Sequence, residues 1–216
     1  MTRLDGLNEI MRRCGRREVP ALDTGGASTA GVAERILEQS DLEIQAYGWL
    51  YNTREDVVLT PSTTTGIVTV PTGTLKIDSW GVDQRRNVTQ IGQKLFDLDE
   101  NTDVFSGTIR TKYVVRFDFE CIPAHVRLYI VADATMRFAQ SELNTAEQAR
   151  QVPMAELWLR KAKARAHSIE TRVRDTNMLD VPGGRALLGG RMPGESVLRA
   201  GGGGYPTTSG SWSVGQ

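Results

Sequence analysis

Two cysteines and two histidines are all that this 216-residue chain offers to thiol or metal chemistry. Cys14 and Cys121 lie far apart and neither belongs to a CxxC pair, which excludes a zinc ribbon or a thioredoxin-like redox motif. Reduced thiols buried in apolar settings are expected at both. His125 stands at a helix start and His167 among basic residues. No GxSxG motif or cysteine-nucleophile signature accompanies either, so plain structural roles are expected for them. Phosphate-cradling glycine loops, GxGxxG or GxxxxGKS/T, are also missing. No cofactor and no metal are expected. Aromatics are scarce, at 6%, and 26 basic residues balance 26 acidic ones. That balance argues against a general nucleic-acid binder, which carries a basic surplus. No apolar run approaches the roughly 20 residues that span a bilayer. Met1–Arg17 alternates charged and apolar residues without an apolar stretch, so neither a signal peptide nor a twin-arginine leader is expected. A soluble protein made in the cytoplasm is the expectation.

What the chain does have is unevenly placed. Residues 150–200 carry ten Lys and Arg against five Asp and Glu, a surplus of five positive charges that the remainder of the chain must offset. Opposite charge on two parts of one chain lets copies attract one another or a charged neighbour. Residues 181–216 hold eleven of the 22 glycines. So glycine-rich a stretch buries too little apolar surface to offset its chain entropy, and a flexible segment is expected. Leu198, Tyr205 and Trp212 are spaced along it like anchors, which points to ordering on a partner.

Leu4, Leu7, Ile10, Met11 and Cys14 recur at helical spacing and Gly15 is placed as a stop. Ser28 or Thr29 is predicted to cap a second helix with Val32, Ile36, Leu37, Ile44 and Tyr47 on its apolar face, ended by Gly48. From Trp49 the pattern changes to short β-branched and aromatic runs broken by turn residues. The runs are Trp49–Asn52, Val57–Thr60, Ile67–Val70, Leu75–Ile77, Val88–Ile91, Lys94–Leu98 and Ile109–Phe117, read as an antiparallel sheet. Ile109, Thr111, Tyr113, Val115 and Phe117 should share one face, and Asp99–Asp103 should be a turn. Pro123 is expected to open a helix apolar on nearly every side (Val126, Tyr129, Ile130, Val131, Ala134, Phe138), hence central. Pro153 is expected to open another, with Trp158, Ala162, Ala166, Ile169 and Val173 inward and basic residues outward.

The fold class expected is α+β. Helices at both ends form an antiparallel bundle (1–48 and 121–180), a β-rich region (49–120) is inserted between them, and a Gly-rich tail (181–216) follows. Two chemical readings compete with a purely structural one. Asp97, Asp99, Glu100 and Asp103 have the residue types for a glycosidase pair, although a polar turn between strands has the same composition. The basic helix 160–174 has the charge of a DNA-binding module but lacks interleaved aromatics for stacking.

A set of local strings resembles the tail tubular protein A family of T7-like short-tailed bacteriophages. Leu7–Met11 through Gly15 to Pro20-Ala21-Leu22 is similar to that family's first helix and turn, and Ile44–Asn52 to its helix-to-sheet junction. Leu95–Asp99 with Asn101–Phe105 resembles its central strand and turn. Ile122-Pro123 and Arg127–Ala132, ending in Arg137-Phe138, is the strongest string, and Asn177–Asp180 closes the series. The strings cover most of residues 4–180; Thr60–Thr74 and everything past Asp180 have no counterpart. The resemblance implies a non-enzymatic virion protein at the head–tail junction, a dodecameric ring. Its implied partners are the portal protein, the tail nozzle protein and copies of itself, with DNA passing through its bore during genome ejection. The residues expected to meet partners are Leu198, Tyr205 and Trp212 on the C-terminal segment and Arg160, Lys163 and Arg174 on the basic helix.

Overall fold

Helix α1 (Arg3–Arg13) begins in a capping box: the Thr2 hydroxyl accepts the Asp5 N–H and the Asp5 carboxylate accepts the Thr2 N–H. It ends where Gly15 takes a φ of +68° and the Arg16 N–H reaches back 2.8 Å to the Met11 carbonyl, as the sequence predicts for a glycine stop. The computed structural model describes residues 1–22 and 28–174, and of residues 173 and 174 only the backbone. The readings of Leu198, Tyr205, Trp212 and the Arg174 side chain lie outside the described residues.

Helix α2 (Thr29–Gln45) starts at Ser28, whose Oγ accepts the Gly31 N–H at 3.1 Å. Its inner face buries Leu37 and Ile44 but also Glu34, Ser40, Asp41 and Gln45. Tyr47, expected on the apolar face, is instead 67% exposed. The helix has already ended at Gln45, and the chain turns through Gly48 at a φ of +80°. Trp49–Asn52, expected as a strand, is a turn. The Asn52 side chain accepts the Trp49 N–H and donates to the Gln45 carbonyl, while the Trp49 indole N–H donates to the Ile44 carbonyl at 2.6 Å. The Trp49 N–H is thus taken by the Asn52 side chain and the Asn52 N–H by the Trp49 carbonyl, bonds of a turn and not of a strand ladder.

Five strands follow: β1 (Thr53–Leu59), β2 (Thr74–Ser79), β3 (Val88–Ile91), β4 (Lys94–Asp97) and β5 (Ile109–Val115). β5 is the centre of a three-stranded antiparallel sheet in the order β1-β5-β2, and β3 pairs β4 as a separate hairpin. Ile67–Val70 is not a full strand; it makes only the isolated bridges Ile67–Val104 and Thr69–Lys94. Val68, Val70, Ile77, Val88, Leu95, Phe105 and Ile109 form one buried cluster. The alternation expected along β5 holds for Ile109 and Thr111 and then shifts phase, because Val114 is buried where Tyr113 and Val115 are half-buried. Register breaks on both flanking strands, at Arg54/Val57 and Thr74/Lys76, accompany that shift.

Helix α3 (Ala124–Glu142) packs against α1, α2 and α4. Its Val126, Ile130, Val131, Ala134 and Phe138 are fully buried, the larger of them worth roughly 2 kcal/mol each in transfer free energy. Pro123 is the cap that precedes this helix and not its first residue. Helix α4 (Thr145–Arg174) runs 30 residues and begins eight residues before Pro153, which corrects the expected start. Its first turn is fixed by exchange between Asn144 and Glu147, each side chain accepting the other's N–H, and by the ion pair of Arg16 with Glu147. These contacts hold the turn ahead of a proline that removes one backbone hydrogen bond.

Candidate assembly surfaces

Among the described side chains of α4, Ala155, Ala162 and Ala166 are the buried ones, and small side chains there bring its backbone close to the rest of the helical core. Its flanks are pinned by aromatic contacts. The Arg13 guanidinium lies 3.6 Å from the centre of the Trp158 ring, and His167 stacks on Trp49 with ring centroids 5.2 Å apart. Other side chains of the helix are exposed, Met154 among them at the rim of a pocket it shares with Arg13, Cys14, Thr135 and Ala139. Met154 is 67% exposed and Leu157 49%, and Arg160, Lys161, Lys163, Arg165 and Arg172 are exposed beyond them. Arg160 pairs with Glu156 one turn earlier. Lys161, Lys163, Arg165 and Arg172 have no acidic partner among the described residues.

The acids elsewhere are largely neutralised within the chain. Glu38 pairs with Arg3 and Arg116, Glu43 with Arg137, and Glu55, Asp56 and Asp103 with Lys112, Arg110 and Lys94. Among the described residues the charge asymmetry therefore resolves into a largely uncompensated basic helix and a body in which many of the acids are paired while others, Glu100 among them, are not. Among the other exposed apolar residues, which include Tyr47, Val58, Val82 and Ile91, two lie on the turn after β4. There Leu98 is 56% and Val104 52% exposed, flanking Asp99 and Glu100. Periodicity did not single out Met154, Leu157, Leu98 or Val104, because exposure of an apolar residue leaves no mark in its spacing.

The same turn decides what its carboxylates do. Asp97 is buried; one of its oxygens accepts from Arg86 at 2.9 and 3.2 Å and the other from the Asp99 and Glu100 N–H groups at 3.0 and 3.1 Å. Asp99 accepts from the Asn87 backbone and side chain, bonds that hold its carboxyl below the usual carboxylate range. Three of the four acids proposed as a glycosidase set are thus bonded, Asp97 to Arg86 and its own loop, Asp99 to Asn87 and Asp103 to Lys94, while Glu100 is exposed with no ion pair among the described residues. His125 is half-buried, with Nε2 enclosed and unpartnered, and burial lowers its pKa ahead of the opposing effect of Glu170.

Burial pushes the Cys14 thiol up to about 11, consistent with an inert core sulfur, whereas Cys121, expected to be buried, is exposed beside the turn that precedes α3. A polar cleft of 550 Å³ opens between the end of α2 and the sheet, lined by Tyr47, Lys76, Asp78, Trp80, Asn87 and Lys112. Lys112 caps the Trp80 ring at 4.9 Å and thereby occupies its stacking face. Among the described residues no three His, Cys, Asp or Glu side chains are grouped to hold a metal ion, and no helix is long and apolar enough to cross a membrane.

The described residues thus form an α+β chain with an exposed basic helix and several scattered exposed apolar side chains. The family model described as tail tubular protein matches residues 4–175, and the chain belongs to that family, whose members are structural proteins of the bacteriophage tail. Tail tubular protein A of Klebsiella phage KP34 is 28% identical over 143 residues, which is 66% of this chain and 74% of that protein.

Proposed function

We propose that this protein is the ring-forming adaptor of a short-tailed phage, joining the portal to the tail nozzle and surrounding the channel through which DNA leaves. The observation that carries the reading is the family match across residues 4–175, which takes in every helix and strand from α1 to α4. In this reading the four helices form an antiparallel bundle in two parts, 1–48 and 121–180, residues 49–120 are its β-rich insertion, and 181–216 is a Gly-rich C-terminal segment. A ring is closed by a head-to-tail contact between two different faces of each copy. Arg160, Lys163 and Arg174 meet a partner through the basic helix, and Leu198, Tyr205 and Trp212 anchor the C-terminal segment on the portal, the nozzle or a neighbouring copy. No catalytic step is assigned, and the acids of the turn after β4 serve as structural bonds.

The uncompensated cations of α4 favour one further reading, a DNA-binding module. Neutralised phosphates would then show as a steep fall of affinity with salt. Imaging of the purified protein, alone and mixed with portal, tests the adaptor. Monomers or small oligomers are expected alone, and closed rings of twelve on portal particles. Portal particles that never acquire a ring overturn it.

A further inference from the structure

Resting on the ring reading, we propose that the turn after β4 in one copy docks on the outer stripe of α4 in the next. At about 100° per residue, Met154, Leu157, Lys161, Arg165 and Arg172 fall within an arc of about 80°, on a stripe about 27 Å long. The stripe is apolar at its start, where Met154 and Leu157 stand in solvent, and cationic beyond it. The turn carries the matching pair of properties. Leu98 and Val104 are exposed; of the two acids between them, Asp99 accepts from Asn87 and feels the charge of Arg86, while Glu100 is exposed and has no ion pair among the described residues. Its shape is fixed before docking, because Asp97 gathers the Asp99 and Glu100 N–H groups and Asp97 bridges Thr102 across the loop. A pre-formed loop loses little entropy on association.

The apolar residues choose the occupant. A phosphate backbone would satisfy Lys161 and Arg165 but would leave Met154 and Leu157 in water. A turn with two apolar side chains beside two carboxylates covers both halves of the stripe. Docking and docked surfaces belong to different parts of the same chain, so each copy offers one and receives the other, the heterologous arrangement from which rings close. With both charges exposed, the pairing sets register and partner choice more than it sets affinity.

Charge exchange at one pair tests this. Glu100 and Lys161 are exposed and have no ion pair among the described residues, so reversing either leaves the fold intact, which circular dichroism and the melting temperature verify. Portal particles are mixed with full-length protein, and the fraction carrying a closed ring is counted for the wild type, Glu100→Lys, Lys161→Glu and the double variant. Each single reversal should lower that fraction about tenfold and the double should recover most of it. A double variant as defective as the singles overturns the direct contact. Normal rings in both singles overturn it too, and if Lys161→Glu then also loses DNA retention, the cations belong to nucleic acid. Failure of the wild type to form rings overturns the adaptor reading itself, and the contact with it.

Discussion

Gln45 and Phe117 exchange two hydrogen bonds across 72 residues of chain: the amide of Gln45 donates to the Phe117 carbonyl at 2.9 Å and its oxygen accepts the Phe117 N–H at 2.8 Å. Gln45 is fully buried and also donates to Asp41. The pair ties the end of α2 to the exit of β5, so the strands leave and re-enter the helical core at one place.

Gln45→Leu keeps the volume and removes the exchange. It leaves two backbone groups without partners, which costs about 2–4 kcal/mol. Urea unfolding of wild type and variant measures this, and a loss below about 1 kcal/mol would contradict the role given to the pair.

Asp97→Ala unties the turn after β4. Arg86, partly exposed, recovers some solvation, so the loss should be about 2–3 kcal/mol and not the full cost of a deeply buried pair. Release of reducing sugar from polysaccharide should be absent for the wild type and for the variant alike. Turnover lost in the variant would restore the glycosidase reading.

Asp41 gives a pH dependence with a definite sign. Its carboxyl is buried, and desolvation raises its pKa against the opposing pull of Gln45 and Arg116. The folded state therefore holds this proton to higher pH than the unfolded chain does, and stability is lost as pH rises above the ordinary carboxylate range. Asp41→Asn lacks that loss. Its stability relative to wild type should climb between pH 4 and pH 7, and a flat difference curve would show that the charge of Arg116 already offsets burial.

Deleting residues 181–216 should leave helix content by circular dichroism unchanged. Attachment to portal or nozzle should weaken, since an aromatic anchor seated in a partner is worth roughly 2 kcal/mol or more and recurs in every copy of a ring. Trp212→Ala should show a smaller loss in the same direction. Truncated protein that assembles as well as the full chain would reduce the segment to a solvated terminus.

The helices were legible because burial and periodicity coincide: Leu7, Ile10 and Met11 in α1 and Val126 to Phe138 in α3 are both periodic and buried. The turn after β4 was legible from its composition alone. Trp49–Asn52 was misread because its residue types suit a strand, while side-chain bonds from Asn52 to the backbone impose a turn that propensity does not encode. Pro153 misled in the opposite sense. A proline is a good first helical residue, but the Asn144–Glu147 exchange is a stronger start eight residues earlier. The contact surfaces were half legible. The charge of α4 is written in its sequence, but that Glu38 and Glu43 are already paired follows only from where Arg3, Arg116 and Arg137 fall in space.

The central position of α3 has a consequence for synthesis. Leu7 and Ile10 of α1 and Leu37 and Ile44 of α2 find their main apolar partner in a helix that begins at Ala124. A ribosome adding about 5–20 residues per second delivers that helix on the order of 5–20 s after the first two have emerged. Through that interval the nascent chain carries two unsealed amphipathic helices, and the strands are made while it waits. Lengthening the stretch between α2 and α3 would prolong exposure of the nascent chain to chaperones and to aggregation without altering one contact of the finished fold.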